Sequence, residues 1–155
     1  MQTFAIGDIH GHRDLLVDLL RQIDEAAAGG EHRIVCLGDY VDRGPDSAGV
    51  LRLLRTRQEA MGRDRFVCLR GNHEDMLLRA RARGRAELTW LGNGGADCLA
   101  SFGVNSVAEL PEGEVAWIEA CPTHFEDKWR HYVHAGLDPG RSREDQRDED
   151  RLWIR

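Results

Sequence analysis

The stretch IVCLGDYVDRG, residues 34–44, joins the pattern of a buried strand to an abrupt cluster of charge. The apolar run at 34–37 is typical of a strand inside a sheet. The residues that follow it include Asp39, Asp42 and Arg43. Such a strand end needs an explanation, because carboxylates held close together away from water are costly unless a cation gathers them.

Strand-like and helix-like apolar patterns alternate along the first half of the chain. Strands are predicted at residues 3–8, 33–38 and 65–69. Helical periodicity is found at 14–28, from Asp46 or Ser47 through Leu54, and around 76–78. This β-α-β-α-β-α order predicts an α/β fold with a mostly parallel sheet flanked by helices.

The second half of the chain is less regular. Short helices are predicted at 99–102 and 115–120, and a fourth strand at 132–135. The highly charged segment 142–151 is predicted to be a solvated loop.

Composition indicates a single globular domain. The chain has 155 residues, of which 41% are hydrophobic and 31% charged. A formal net charge of −6 argues against a nucleic-acid-binding protein. No apolar run approaches the roughly 18 residues of a membrane helix. The start of the sequence has no signal-peptide pattern, so we expect a cytoplasmic protein without a membrane partner.

The cysteines and tryptophans are read as structural residues. Cys36, Cys68, Cys98 and Cys121 show no CxxC spacing and are expected to be buried free thiols. The tryptophans are expected in the core or at an interface, with the last of them partly exposed: Trp90, Trp117, Trp129 and Trp153.

A polar motif follows each of the three predicted strands. The motifs are GDIHG (7–11), GDYVDRG (38–44) and GNHE (71–74). They are separated by about 30 residues, the length of a βα unit. Each motif therefore falls at the carboxyl end of a successive strand, the edge where open α/β sheets bind ligands. The sequence predicts one site assembled from three distant stretches.

The residue types in these motifs favour a metal centre. Asp8, His10, Asp39, Asn72 and His73 offer oxygen and imidazole donors without a thiolate. Such a mixture suits Mn, Fe or Zn better than Ca, and it disfavours a structural zinc site. Taken singly, each aspartate and Asn72 is as readily a turn or cap residue. Their convergence is what favours a cation.

In this order and spacing, the three motifs closely resemble the signature of the phosphoprotein phosphatase family of metallophosphoesterases. That family includes serine/threonine protein phosphatases and symmetrical diadenosine tetraphosphate hydrolases. HAGL (134–137), WLGNGG (90–95) and LDPG (137–140) are also similar to segments of bacterial members. The resemblance implies a calcineurin-like sandwich of sheets and helices over a single domain, residues 1–155. It implies that this chain corresponds to the N-terminal two-thirds of such a domain, with its second sheet incomplete.

The resemblance implies two divalent metal ions held by five residues. Asp8 and His10 would bind the first ion, Asp39 would bridge both, and Asn72 and His134 would bind the second. Mn is the expected metal, with Fe or Zn as alternatives. The ions would activate a shared water, giving a hydroxide for in-line attack on phosphorus.

The resemblance also assigns catalytic and substrate-binding roles. His73, oriented by Asp42, would protonate the leaving oxygen. Arg43 would clamp the phosphoryl oxygens through its planar fork, and Asn72 would also contact the substrate. The expected substrate is a phosphorylated protein or a small phosphoester.

The end of the chain departs from the family pattern. Family members normally supply another metal-binding histidine and a further phosphate-contacting arginine in a later segment, and residues 138–155 contain no histidine. The second metal site is therefore expected to lack a ligand unless another group replaces it. His12 is expected at the surface where a helix starts, and His124 and His131 at the surface or at strand edges. These are three of the spare histidines, which are His12, His32, His124 and His131.

The sequence predicts a metal-dependent phosphoester hydrolase, most similar to a serine/threonine protein phosphatase. One alternative is symmetrical hydrolysis of diadenosine tetraphosphate. The other is a non-catalytic relative that binds one metal or a phosphopeptide without turnover.

Two further segments leave alternatives open. RARARGR (79–85) is read as a solvated helix end rather than a patch that attracts phosphorylated substrates. LGNGGAD (91–97) is read either as an anion-binding turn facing the site or as a plain connection between two helices.

Overall fold

The main sheet of the computed structural model, which describes residues 1–82 and 84–155, is parallel. Its strands β1 (Gln2–Ile6), β2 (His32–Cys36) and β3 (Phe66–Cys68) lie side by side in chain order. The register pairs Ile6 with Cys36, and Cys36 with Cys68, so the three strands end at the same level. This confirms the predicted α/β fold, and it places the polar segments that follow the strands beside one another.

Helices connect and cover these strands. The helix between β2 and β3 begins with a side-chain cap, because the carboxylate of Asp46 accepts the backbone N–H of Gly49 at 2.7 Å. A π-helical turn, Leu91–Gly95, joins two short helices after β3. The helices are α1 (Arg13–Ala26), α2 (Ser47–Met61), α3 (Asn72–Ala80), α4 (Arg85–Trp90), α5 (Ala96–Phe102), α6 (Glu112–Glu119) and α7 (Asp148–Trp153).

The end of β2 and the whole of β3 are buried on both faces of the sheet, and side chains alternate between the faces as the pleat requires. On β2, Ile34 and Cys36 belong to the large core under the helices, whereas Val35 packs into a smaller cluster on the opposite face. Both kinds of position are fully buried, with zero exposure for all three residues. A strand covered on both faces reads as a continuous apolar run, which is the pattern at 34–37.

A separate antiparallel hairpin covers the second face. Its strands are β4 (His124–Glu126) and β5 (His131–Val133), and Tyr132 packs into the smaller cluster with Val35. The strand predicted at 132–135 is present as β5 at 131–133, but it is the fifth strand in chain order because β4 precedes it and pairs with it. β4 was not predicted from the sequence, because it is short and two of its three residues are exposed.

The predicted solvated loop at 142–151 was wrong in its second half, where α7 begins at Asp148. The charges there are satisfied locally. The Arg147 guanidinium donates to both carboxylate oxygens of Asp150 at 3.0 Å, and the Thr123 hydroxyl donates to Asp148. Leu152 is buried as a result.

Cysteine burial is confirmed and one tryptophan prediction was wrong. All four cysteines are buried and free. Trp90 and Trp117 are buried and Trp153 is half-buried, but Trp129 is 78% exposed. The ammonium of Lys128 lies 4.6 Å from the centre of the Trp129 ring. The exposed ring therefore contacts a cation and does not pack in the core.

The arginine-rich stretch 79–85 forms ion pairs where it is described. Arg79 pairs with Asp75 at 2.8 Å, and Arg81 pairs with Glu112. Both pairs agree with a solvated helix end, while Arg83 lies outside the described residues. In the part of the chain that the structure describes, no helix is both long and apolar enough to cross a bilayer.

Candidate active site

The three strand-end motifs are joined by backbone hydrogen bonds. The carbonyl of Asp39 accepts the N–H groups of Ile9 at 2.9 Å and His10 at 2.8 Å. The backbone N–H of His73 donates to a carboxylate oxygen of Asp39 at 3.0 Å. The second motif therefore holds the first and third against it, as the strand spacing predicted.

Left-handed backbone conformations are concentrated in this site. His10, Asp39, Asp42 and Arg43 have φ values of +43°, +55°, +71° and +66°. Each costs about 1–2 kcal/mol for a residue with a Cβ. Such strain persists only where surrounding contacts determine the conformation, and it is typical of functional sites.

Glu74 makes many of the contacts that determine these conformations. The sequence reasoning assigned it no role. Its fully buried carboxylate accepts four backbone N–H groups, from Asp39 and Gly71 on one oxygen and from Tyr40 and Val41 on the other, at 2.8–3.3 Å. Burial raises the pKa of Glu74 to about 7, and the nearby charge of Asp39 adds to the rise. A Glu three residues after the residue that precedes a helix can accept that residue's backbone N–H, as Glu74 accepts from Gly71, and this spacing was an available signal.

Two groups of potential metal-binding atoms share the Asp39 carboxylate. Asp8, Asp39 and His134 form one group, and His10, Asp39 and His73 form the other; within each, the candidate atoms lie within 4.8 Å of one another. One oxygen of Asp39 is 3.5 Å from Nε2 of His10, and the other is 3.5 Å from Nε2 of His134. Asp8 lies 4.0 Å from the same nitrogen of His10. Asp39 thus faces both groups with separate oxygens.

Backbone carbonyls fix the tautomers of the two histidines that face Asp39. Nδ1 of His10 donates to the carbonyl of Val41 at 2.9 Å, and Nδ1 of His134 donates to the carbonyl of Leu37 at 3.0 Å. Each ring therefore presents its Nε2 lone pair to the centre. This arrangement is common for metal-ligating histidines, whose other nitrogen is held by a hydrogen bond.

The amide oxygen of Asn72 provides a test of whether the site suits a cation. Oδ1 of Asn72 is buried, and no group among the described residues donates a hydrogen bond to it. A buried acceptor without a donor is costly. A divalent cation is the kind of partner that would satisfy it beside carboxylates and imidazoles. The residues present therefore fit a divalent metal.

His73 and Asp42 form a buried pair, called the dyad below. Nδ1 of His73 lies 2.7 Å from a carboxylate oxygen of Asp42, and the ring of His10 packs edge-on against His73 with 4.6 Å between ring centres. Burial raises the pKa of Asp42, and hydrogen bonds from His73 and Trp90 oppose that rise. The pairing of Asp42 with His73 is the one that the family resemblance implied.

Arg43 lies beside the dyad and in contact with the first motif. Its guanidinium donates to Nε2 of His10 at 2.9 Å. That nitrogen is also the one directed at Asp39, so a cation bound there would take the place of the guanidinium. Arg43 would then be free to turn toward a bound phosphoryl group.

A cleft of about 350 Å³ opens next to the dyad and is called the His73 cleft. Arg43, Asn72, His73, Trp153 and Arg155 are among the residues that line it. The sequence reasoning assigned no role to Arg155.

One larger cavity and the hairpin histidines lie apart from this chemistry. A larger groove, about 530 Å³, runs between α2 and α6 and contains none of the predicted site residues. His12 is exposed, and His124 and His131 stack on each other on the hairpin. None of the spare histidines belongs to either group of metal-binding atoms.

Comparison with known proteins agrees with this geometry. The model of the family described as calcineurin-like phosphoesterase matches residues 1–153. The chain belongs to the calcineurin-like phosphoesterase family. This confirms the metallophosphoesterase resemblance and the fold predicted from it.

Relatives within the family carry two kinds of name. The chain is 35% identical over 132 residues to serine/threonine-protein phosphatase 1 of Salmonella typhimurium, which covers 85% of this chain and 56% of the relative. It is 42% identical over 78 residues to a symmetrical bis(5'-nucleosyl)-tetraphosphatase of Janthinobacterium, covering 50% of this chain and 26% of the relative.

A solved structure shows the same fold. A crystal structure provisionally assigned as a diadenosine tetraphosphatase superimposes with a TM-score of 0.67 at 26% identity, covering 97% of this chain and 57% of that one. The matched part of this chain therefore covers at most 57% of the length of these relatives. The comparisons identify the family, and the choice of substrate is left to the chemistry of the site.

Proposed function

We propose that this chain is a metal-dependent phosphoester hydrolase that acts on phosphorylated serine or threonine in proteins. The observation that carries the proposal is the Asp39 carboxylate, shared by two groups of metal-binding atoms beside the His73–Asp42 dyad. The position of the dyad at a cleft that Arg43 and Arg155 also line supports phosphate as the ligand.

Five residues would hold two divalent cations, of which Mn is the expected one: Asp8, His10, Asp39, Asn72 and His134. When bound, the cations would polarise the phosphoryl group and activate the attacking water. The shared position of Asp39 and the unpartnered oxygen of Asn72 support this assignment.

The chain's own groups would bind the substrate and move one proton. Arg43 and Arg155, which both line the His73 cleft, would hold the phosphoryl oxygens, because a guanidinium matches two phosphate oxygens at once. His73 would give its Nε2 proton to the leaving oxygen, while Asp42 holds its other nitrogen. These steps need no other acid in the site.

Symmetrical hydrolysis of diadenosine tetraphosphate is the second candidate. It is supported by the names of several relatives that match this chain. It is also supported by Arg79, which lines the His73 cleft and would meet a distal phosphate by turning from its ion pair with Asp75.

The experiment compares the turnover of three phosphoesters in the presence of a defined metal ion. Protein stripped with a chelator is supplied with excess Mn, and turnover is measured on p-nitrophenyl phosphate, a phosphoserine peptide and diadenosine tetraphosphate. We expect Mn-dependent turnover that Asp39→Asn lowers by about 100-fold or more. The matched control is Asp18→Asn, an exposed aspartate on α1, which should leave the rate unchanged.

Each contrary outcome selects another function. Folded protein without turnover in excess Mn, Fe or Zn would overturn the catalytic proposal in favour of a relative that only binds. A higher kcat/KM for diadenosine tetraphosphate than for the phosphopeptide would replace the protein phosphatase proposal with the second candidate.

A further inference from the structure

Trp90 contacts the dyad from outside the three strand-end motifs. It is fully buried at the end of α4, and its indole N–H lies 2.9 Å and 3.1 Å from the two carboxylate oxygens of Asp42. An indole nitrogen can only donate. The Asp42 oxygen that lies 2.7 Å from Nδ1 of His73 is also the nearer acceptor of the indole N–H, so both contacts meet at one oxygen.

The glycine-rich turn after α4 presses Trp90 into this position. A Cβ on Gly95 would lie 2.5 Å from two carbon atoms of the indole ring, so the backbone of Gly95 packs directly on the ring face. The carbonyl of Gly94 accepts the backbone N–H of Arg43 at 3.3 Å. One short segment thus holds the side chain of Asp42 and the backbone of the next residue.

The backbone of Asp42 is anchored by α2. Its N–H donates to the hydroxyl of Ser47 at 3.1 Å, and its side chain is fully buried. Residue 42 is therefore held at its backbone by α2 and at its carboxylate by Trp90 of α4. Removing the indole donor would let the carboxylate turn and would loosen the ring of His73, since a buried acceptor seeks another partner.

We propose that Trp90 is a positioning residue that holds Asp42 so that His73 is aimed at the leaving oxygen. This rests on the proposed function. In that reaction a water oxygen bonds to phosphorus, and the bond between phosphorus and the leaving oxygen breaks. The electron pair stays on the leaving oxygen, which takes the Nε2 proton of His73, and the water's proton passes to solvent. LGNGGAD is then a support for the acid rather than an anion-binding turn.

The test uses the leaving-group dependence of the rate. Dinitrophenyl phosphate releases a weakly basic phenolate that needs little protonation, whereas phenyl phosphate and a phosphoserine peptide release strongly basic oxygens that need it. Trp90→Phe, which keeps a ring and removes the N–H, should lower kcat about tenfold on the basic leaving groups and less than about threefold on dinitrophenyl phosphate. Trp117→Phe is the matched control, because it removes a buried indole donor from Gln58 away from the site.

A second pair of variants keeps the test decisive if Trp90→Phe folds poorly. Gly95→Ala retains the indole N–H but displaces the ring, and it should show the same selective loss. Gly92→Ala changes the same turn where nothing lies within 4 Å of the added carbon, and it should behave as the wild type. An equal loss on every substrate in both Trp90→Phe and Gly95→Ala, or no loss, would overturn the proposal.

A proton NMR measurement does not depend on turnover. The hydrogen-bonded Nδ1 proton of His73 should give a downfield signal, identified by its loss in His73→Gln. It should be lost or exchange at least about tenfold faster in Trp90→Phe, and be unchanged in Trp117→Phe. An unchanged signal in Trp90→Phe would overturn the positioning role. Failure of the wild type to hydrolyse any ester would instead remove the proposed function, and this signal would still decide the structural claim.

Discussion

Replacing Gly38 with alanine tests how closely the ends of β2 and β3 must approach to build the site. Gly38 has a φ of +107°, and a Cβ there would lie 2.4 Å from the backbone nitrogen and 2.5 Å from the Cα of Gly71. Both contacts are to main chain, so neither can be relieved by a side-chain rotation. Asp39 follows one glycine and Asn72 follows the other.

The geometry sets the size of the effect. Ordinary contact begins at 3.4 Å, so Gly38→Ala must separate the two segments by about 1 Å. The hydrogen bond from Leu69 N–H to the Cys36 carbonyl, at 2.9 Å, resists that separation. A left-handed φ costs about 1–2 kcal/mol, and forcing a methyl group into packed surroundings costs about 1–3 kcal/mol. The free energy of unfolding should therefore fall by about 2–5 kcal/mol.

Urea unfolding followed by circular dichroism measures the loss. The matched control is Gly103→Ala, at the end of α5, where φ is +67° and nothing lies within 4 Å of the added carbon. Its free energy of unfolding should fall only by the cost of a left-handed φ in alanine, about 1–2 kcal/mol. Mn-dependent turnover should fall by about 100-fold in Gly38→Ala, because a displacement of about 1 Å separates Asp39 from Asn72. Equal stability of the two variants would refute the argument that this approach constrains the site.

Two further predictions concern the helix cap and the thiols. Asp46→Ala should lower the free energy of unfolding by about 1 kcal/mol, because Gly49 N–H loses its acceptor, while Asp46→Asn, which keeps a side-chain oxygen, should cost little; equal loss in both would contradict the capping role. A chromogenic disulfide reagent at about pH 8 should label no cysteine in the folded protein and four after denaturation, because the thiols are buried and burial raises the pKa of Cys98 and Cys121 to about 12. Rapid labelling of the folded protein would contradict this.

The fold and the convergence of the motifs were readable because their signals are local. The runs that became the end of β2 and the whole of β3 are apolar on both faces, β1 carries a shorter apolar run, and the helices between them have a clear period. Their spacing alone placed Asp8, Asp39 and Asn72 at one edge of the sheet. The pairing of His73 with Asp42 came from the family resemblance, and the 2.7 Å contact agrees with it.

What the sequence did not reveal depends on contacts between distant or weakly patterned residues. Trp90 is 48 residues from Asp42, and nothing in its own surroundings marks it as a donor to that carboxylate. Arg155 reaches the His73 cleft only because α7 forms within a segment whose charge suggested a loop. Trp129 illustrates the opposite error, since residue type suggested burial and a neighbouring lysine made exposure tolerable.

The order of the main sheet has a consequence for how the protein is made. Because β1, β2 and β3 lie side by side in chain order, no later strand has to insert between earlier ones. The emerging chain can therefore pair each strand with its predecessor on the ribosome, and the loops carrying Asp8, Asp39 and Asn72 meet as soon as β3 is in place. His134 is synthesised about 60 residues later, a delay of about 3–12 s at typical translation rates. Slowing elongation over that interval would prolong a state in which the sheet has formed but the candidate metal centre still lacks His134.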